Sequence, residues 1–261
     1  VLYEGDYALT EKSERLSDLL LGHGFVLASR SMEGMECVLS REGLYLYRLP
    51  GARWGLVVPQ GALGLRLDGN ADVFSNLNAL HAALCPSAEG PLYEAVTVRT
   101  EMSGPFYRAD IPEYPGAVYG FPQTDTAELR VNGCAVPVMA EAQKTSGGTS
   151  RTYNGVLELK RAAVAGETVV EGRMLRTVET PLLAAAARTP EQDVPVLGKE
   201  QDKYGMEAKG SGGHVEVALN AGEGEALMVP VVYDRGWRVR RNGMEAPVEK
   251  VWRPDGRWTC P

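Results

Sequence analysis

Residues 226–251 read ALMVPVVYDRGWRVRRNGMEAPVEKV, and this stretch decides the expected fold of the chain. The apolar run at 227–232 predicts a buried strand that is central to its sheet. Trp237 and Val239 then alternate with Arg238 and Arg240, as in a strand with one face in water. This alternation predicts that Trp237 lies in the core, where its replacement by Ala would cost about 3–5 kcal/mol.

A turn closes the same stretch. Asn242 and Gly243 both tolerate a positive φ, so they favour a two-residue type I′ turn between antiparallel strands. Val248 and Val251 then lie on the returning strand. The stretch is therefore predicted to be a β-meander anchored by one tryptophan.

The composition extends this expectation to the rest of the chain. With 30 Gly and 16 Pro in 261 residues, the sequence favours short strands joined by turns over long helices. The net charge of −7 argues against a nucleic-acid surface. No apolar run reaches the roughly 20 residues of a membrane helix. Because the chain begins with Val and has no signal-peptide pattern, we expect a fragment or a processed chain.

Three segments follow from the spacing of the strand and turn signals. Residues 1–90 are expected to form a small α/β segment with two helices and short strands. Residues 91–179 show strands every 8–12 residues, which predicts an antiparallel β-sandwich-like module. Residues 180–261 are expected to form a helix followed by the β-meander module, truncated at its C-terminus. The predicted class is thus mainly β with a few short helices (α+β), in tandem sandwich-like modules.

Three helices are predicted within these segments. The first spans residues 10–21, where leucines recur at helical spacing. The second spans residues 72–84, with Asp72 as N-cap and Phe74, Leu77 and Leu80 on one face. The third is the Ala-rich run at 182–188, introduced by Pro181.

Neither a metal site nor a cofactor site is predicted. The cysteines lack metal-ligand spacing, so we expect buried free thiols rather than a disulfide. The histidines have no ligand partner at helical or strand spacing, so surface or capping roles are expected. The residues concerned are Cys37, Cys85, Cys134, Cys260, His23, His81 and His214.

Catalytic residues are likewise not predicted. The acidic residues could hide a glycosidase pair, such as Asp110 with Glu113 or Asp234 with Glu249, although most carboxylates at such positions are solvated. The Gly-rich segment at 146–150 has no lysine and opens no helix pattern, so it is not typical of a phosphate-binding loop. We therefore expect the chain to have no catalytic activity of its own.

Aromatic residues near the C-terminus are the binding candidates. Sugars stack on exposed aromatic faces, because such a ring pairs an apolar face with a polar edge. Trp252 and Trp258 flank the turn at 254–256, and Tyr233 precedes the predicted meander strand. These three residues are the predicted glycan-stacking positions.

Three motifs, in order, also resemble the bacterial membrane protein YfhO family. The C-terminal motif consists of a strand, the sequence Tyr-Asp-x-Gly-Trp, a second strand and a turn with Gly. It departs from the family at Val232, which precedes the Tyr, and at Asn242, which lies in the turn. The two earlier motifs precede and open the second helix. The first departs at Leu49 and is one residue short, and the second departs at Val73, Ser75 and Leu77. The matching residues are Tyr47, Pro50, Ala52, Gly55, Asp72, Phe74, Asn78, Tyr233, Asp234, Gly236, Trp237, Val239 and Gly243.

The resemblance implies a role as a non-catalytic extracytoplasmic domain of a polytopic membrane protein. Such a parent would act in cell-envelope polysaccharide or teichoic-acid glycosylation with lipid-linked sugars. Its own transmembrane helices would be the partner of this region, and its catalytic acids would lie on loops of the membrane part. The alternative is a secreted carbohydrate-binding β-sandwich module of a glycoside hydrolase, and a third possibility is an independent hydrolase.

Overall fold

A computed structural model of the chain describes residues 16, 25–28, 36–48, 55–123, 126–136, 156–160, 165–187, 200–211, 213–229 and 236–248. These residues group into two compact units. The sandwich unit comprises those within Pro91–Pro190, and the discontinuous unit comprises those within Arg15–Gly90 and Glu191–Pro261. In these ranges no helix is both long and apolar enough to cross a membrane.

Strands dominate both units, so the predicted mainly β class is confirmed. The α-helix α1 spans Val73–Leu84, and two 3₁₀ helices span Gln60–Gly64 and Gln201–Tyr204. The strands are β1 (Phe25–Ala28), β2 (Glu36–Arg41), β3 (Leu44–Arg48), β4 (Leu56–Pro59), β5 (Tyr93–Ala95), β6 (Arg99–Ser103), β7 (Phe106–Ile111), β8 (Val118–Pro122), β9 (Thr126–Val131), β10 (Cys134–Val136), β11 (Leu157–Lys160), β12 (Thr168–Met174), β13 (Leu182–Ala187), β14 (Glu207–Ser211), β15 (His214–Ala218), β16 (Glu225–Met228), β17 (Val239–Arg241) and β18 (Met244–Ala246).

The sandwich unit has the strand order of a jelly roll. One sheet runs β11-β8-β13-β5 and the other runs β10-β9-β12-β7-β6, and every pairing is antiparallel. Strand β6 is an additional edge strand. If the other strands of this unit are numbered along the chain from β5 as the first to β13 as the eighth, one sheet has the order first, eighth, third, sixth. The other sheet has the order second, seventh, fourth, fifth. Two Greek keys folded into a double sheet give this order, so the predicted β-sandwich is confirmed.

Alternation along the strands places the core between the two sheets. On β7, Tyr107, Ala109 and Ile111 are buried while Arg108 lies outward. The same pattern on β12 buries Val170 and Met174. Residues of both sheets meet in one apolar cluster, which also contains Val118, Leu129, Leu159, Leu182, Ala184 and Ala186. The two layers therefore share a single core.

The predicted helix at 182–188 is wrong, because these residues form β13. This strand lies between β8 and β5, and its alanines are buried on both faces. A strand with neighbours on both edges and cover on both faces shows no polar alternation, so its sequence resembles that of a short buried helix. The helix propensity of alanine is a fraction of a kcal/mol per residue, and sheet pairing outweighs it here.

In the discontinuous unit, the predicted hairpin at the N-terminal side and the second predicted helix are both present. The hairpin of β2 and β3 forms, with β1 on the other edge of β3. Helix α1 begins after Asp72, whose carboxylate accepts hydrogen bonds from the backbone N–H groups of Phe74 (2.9 Å) and Ser75 (3.0 Å). This arrangement confirms the predicted N-cap. Of the helix predicted at 10–21, only Leu16 is described, in a helical conformation.

Three hairpins in the described ranges close with the same turn. Asn242 (φ 52°) and Gly243 (φ 82°) both lie in the left-handed region between β17 and β18, which confirms the predicted type I′ turn. Asn132 and Gly133 close the β9–β10 hairpin in the same way, and a Glu-Gly pair joins β2 to β3. Positive φ at both central residues matches the right-handed twist of the strands that they join.

A glutamine side chain completes the edge of β4. This strand pairs with β16, with Val57 opposite Leu227. On the other side, the Gln201 amide accepts a hydrogen bond from the Val57 N–H (2.7 Å) and donates one to the Val57 carbonyl (3.0 Å). Gln201 is only 2% exposed, so its amide takes the place of a neighbouring strand at this position.

Candidate functional site

The predicted glycan-stacking residues Tyr233, Trp252 and Trp258 lie outside the described residues. Their assignment therefore stays a prediction. The same holds for the acidic pair Asp234 and Glu249.

The predicted core position of Trp237 is wrong. Its side chain is 39% exposed, and Val239 on the same predicted face is also exposed. The physical reason is the absence of a covering layer: in the part of the chain that the structure describes, β17 and β18 pair only with each other. Alternation buries a face only when a second layer packs on it. The expected cost of about 3–5 kcal/mol for Trp237→Ala therefore does not apply.

The preceding strand is also less buried than predicted. Strand β16 ends at Met228 and, as far as the chain is described, pairs only with β4. Leu227 is exposed on this strand. The expected central strand at 227–232 is therefore wrong over 227–229, while residues 230–232 lie outside the described ranges.

The hairpin of β17 and β18 combines exposed apolar side chains with positive charge. Met244 is 72% exposed, the largest fraction among the large apolar side chains of the described ranges. Arg238, Arg240 and Arg241 are exposed beside it. We define this segment, residues 236–248, as the basic hairpin. Among the described residues of the stretch at 226–251, this hairpin carries the exposed aromatic side chain.

The two carboxylates of the first acidic pair each contact a different neighbour. Asp110 pairs with Arg108 (3.1 Å) on the outward face of the five-stranded sheet. Glu113 accepts a hydrogen bond from the Gly166 N–H (3.0 Å). Each carboxylate is engaged by a neighbour within the fold, so the geometry favours structural roles for both.

Positive and negative side chains alternate on that outward face of the five-stranded sheet. Arg108 also approaches Glu171 (3.4 Å), and Arg173 pairs with Glu128 (2.8 Å). All four side chains are at least 38% exposed, so each pair contributes little to stability. A surface on which positive and negative groups alternate is typical of a solvated face.

The outward face of the four-stranded sheet is aromatic instead. Tyr119 pairs with Ala185, which lies between the core residues Ala184 and Ala186, so Tyr119 faces away from the core. The Tyr93 and Tyr119 rings meet edge to face, with centroids 5.5 Å apart. Phe121 lies on the same face and is half-buried. The sequence reasoning missed this group, because the β13 register that defines the face was read as a helix.

A carboxylate in the discontinuous unit is held by local hydrogen bonds. Glu225 accepts hydrogen bonds from the Tyr204 hydroxyl (2.5 Å) and from the Gly222 N–H (2.6 Å). The hydrogen bond from the Tyr204 hydroxyl has the largest effect. Together with the one from the Gly222 N–H, it lowers the pKa of the Glu225 carboxyl below its usual value. The Lys203 ammonium lies 4.7 Å from the centre of the Tyr204 ring. These contacts tie the 3₁₀ helix at Gln201–Tyr204 to the start of β16.

The histidine and cysteine predictions hold in part. His81 is buried in the last turn of α1, so a surface position is wrong for it, whereas His214 is exposed at the start of β15 and His23 lies outside the described residues. Helix packing explains the difference, because His81 lies four positions after Leu77 and three before Leu84, on the face that both leucines bury. Cys37, Cys85 and Cys134 are free thiols as predicted, but only Cys85 is buried. Among the described residues, no group of three or more His, Cys, Asp or Glu side chains could hold a metal ion.

Comparison with known proteins adds no relative: the chain matches no family model, no curated protein and no solved structure. The YfhO resemblance therefore rests on its motifs alone.

Proposed function

We propose that the chain is a non-catalytic extracytoplasmic region of a polytopic membrane protein resembling the YfhO family. Its role would be in cell-envelope polysaccharide or teichoic-acid glycosylation with lipid-linked sugars. The observation that carries the proposal is the ordered set of YfhO-like motifs. In support, Asp72 opens a helix and Gly243 closes a hairpin, which are the local structures that the resemblance implies at those positions.

Three described residues of the two earlier motifs have structural roles. Tyr47 and Phe74 are buried, and Asp72 caps α1. A motif built from buried and capping residues preserves a fold rather than a reaction. This is the expectation for a region whose parent carries its catalytic acids elsewhere.

The natural protein that contains this chain gives the first test. We expect its coding sequence to place several long apolar spans next to the region. We also expect it to stay in the membrane pellet after alkaline carbonate washing and to require detergent for release. Recovery of the natural protein from the culture medium, with no apolar spans in its gene, would contradict the proposal.

The second candidate is a secreted carbohydrate-binding module. It is favoured by the jelly-roll order of the sandwich unit, which lectin domains also use, and by the half-buried rings of Tyr119 and Phe121 on the outward face, beside the buried Tyr93. A catalytic hydrolase domain beside the region, together with glycan binding that Tyr119→Ala abolishes, would establish this candidate instead. Glycoside hydrolysis by the purified chain itself, removed by one Asp or Glu substitution, would overturn both.

A further inference from the structure

The basic hairpin presents its apolar side chains to solvent. Trp237, Val239 and Met244 are all exposed, at 39%, 42% and 72%. Single exposed apolar residues are common on protein surfaces, but three within eight residues of one ribbon form a patch. Such a patch marks a contact surface when the groups around it fit a partner.

Positive charge lies on both faces of this hairpin: Arg241 pairs with Met244 on the apolar face, and Arg240 pairs with Glu245 on the opposite face. The segment from 237 to 246 contains three basic residues, Arg238, Arg240 and Arg241, and one acidic residue, Glu245. Its net charge is therefore +2, whereas the whole chain carries −7. The Arg238 guanidinium also donates a hydrogen bond to the Trp237 carbonyl (3.3 Å), which holds one cation beside the tryptophan. The local field of the hairpin therefore favours an anionic partner.

We propose that the basic hairpin binds the surface of an anionic phospholipid bilayer. Tryptophan favours the boundary between headgroups and acyl chains, because its ring is apolar and its N–H is polar. Guanidinium groups form paired hydrogen bonds with phosphate oxygens. In this arrangement Trp237 and Met244 enter the headgroup region, and Arg241, which pairs with Met244 on the same face, contacts lipid phosphates. Arg238 and Arg240, on the opposite face of the hairpin, add to the attraction toward the anionic surface.

A second apolar surface of the chain differs from the basic hairpin in its charge. On one face of the three-stranded sheet, Leu27 and Leu39 both lie opposite Leu46, and both are exposed. At the end of this face, Arg48 and Glu36 neutralise each other at 3.6 Å. Nothing on that face favours an anionic bilayer, so it serves as a matched control.

Vesicle sedimentation with the 261-residue chain tests the proposal. We expect binding to vesicles of equal parts phosphatidylcholine and phosphatidylglycerol, and at least about tenfold weaker binding to pure phosphatidylcholine. Added salt should release the protein, because exposed charges are screened. The proposal concerns the chain itself, so its outcome is independent of whether the parent acts in glycosylation.

Two variants assign the binding to the hairpin. The triple change Arg238→Gln, Arg240→Gln and Arg241→Gln should lower the partition coefficient at least about tenfold, since each cation near an anionic surface contributes severalfold. Met244→Ser should also weaken binding, because affinity scales with the apolar area that enters the membrane. The control Leu39→Ser should bind as the parent does, and circular dichroism melts check that all three variants are folded.

Three results would overturn the proposal. The first is equal binding to charged and uncharged vesicles. The second is loss of binding in Leu39→Ser rather than in the arginine variant. The third is binding of a soluble polyanion such as polyphosphate without any binding to vesicles, which would assign the hairpin to an anionic polymer.

Discussion

Gln201→Leu is expected to lower the free energy of unfolding by about 3–4 kcal/mol. Leucine has nearly the volume of glutamine, so packing is largely kept. It can neither accept from the Val57 N–H nor donate to the Val57 carbonyl, and both groups lie in a buried part of the fold. A buried polar group that loses its partner costs about 1–3 kcal/mol, and this change affects two.

Chemical denaturation measures this effect, and amide exchange locates it. The Val57 amide should exchange faster in the variant than in the parent, whereas amides of the sandwich unit should keep their protection. Gln60→Leu is the control, because Gln60 is exposed and its backbone N–H still reaches the Gly224 carbonyl (2.8 Å). That variant should stay within about 0.5 kcal/mol of the parent. Unchanged stability in Gln201→Leu would show that the amide is not the edge partner of β4.

Gly172→Ala is expected to destabilise the sandwich unit by about 2–3 kcal/mol. The new Cβ would lie 2.4 Å from Cε1 and Cζ of the Tyr107 ring and 2.6 Å from its hydroxyl oxygen. Gly172 pairs with Tyr107 across β12 and β7, so the ring lies over the glycine inside the core. Burial also raises the pKa of Tyr107 to about 12, as expected for a phenol away from water. Because protein cores are close-packed, the ring could move away from the new methyl group only by displacing its own neighbours.

A double-mutant cycle tests the cause of this loss. Tyr107→Leu removes the colliding atoms, so Gly172→Ala should cost much less in that background. Gly61→Ala provides the control, because its Cβ would meet no atom within 4 Å. If Gly172→Ala melted with the parent, the contact between the glycine and the ring would not be tight.

Local signals predicted much of this fold. The Asn-Gly turn, the cap at Asp72 and the alternation of β7 depend on residues within one turn or one strand of each other. Such signals act before tertiary contacts form. They were sufficient for the hairpins, for α1 and for the sandwich class.

The errors arose where a distant layer decides the outcome. The alanines of β13 are a strand because β5 and β8 pair on either side. Trp237 is exposed because no layer covers its hairpin in the described ranges, although its alternation is that of a half-buried strand. The Gln201 contact joins residues 144 positions apart and leaves no local signature. Binding surfaces depend on the same distant packing, so the aromatic face of the four-stranded sheet could not be predicted.

The position of Cys37 and Cys134 relative to the membrane tests the central claim most directly. Both thiols are exposed and free, whereas Cys85 is buried, so the chain contains its own positive and negative reporters. Single-cysteine forms of the natural full-length protein are treated in intact cells with a membrane-impermeant maleimide. An extracytoplasmic region predicts labelling of the Cys37 and Cys134 forms without permeabilisation, and of the Cys85 form only after denaturation. Labelling of Cys37 and Cys134 only after the membrane is opened would contradict the proposed function.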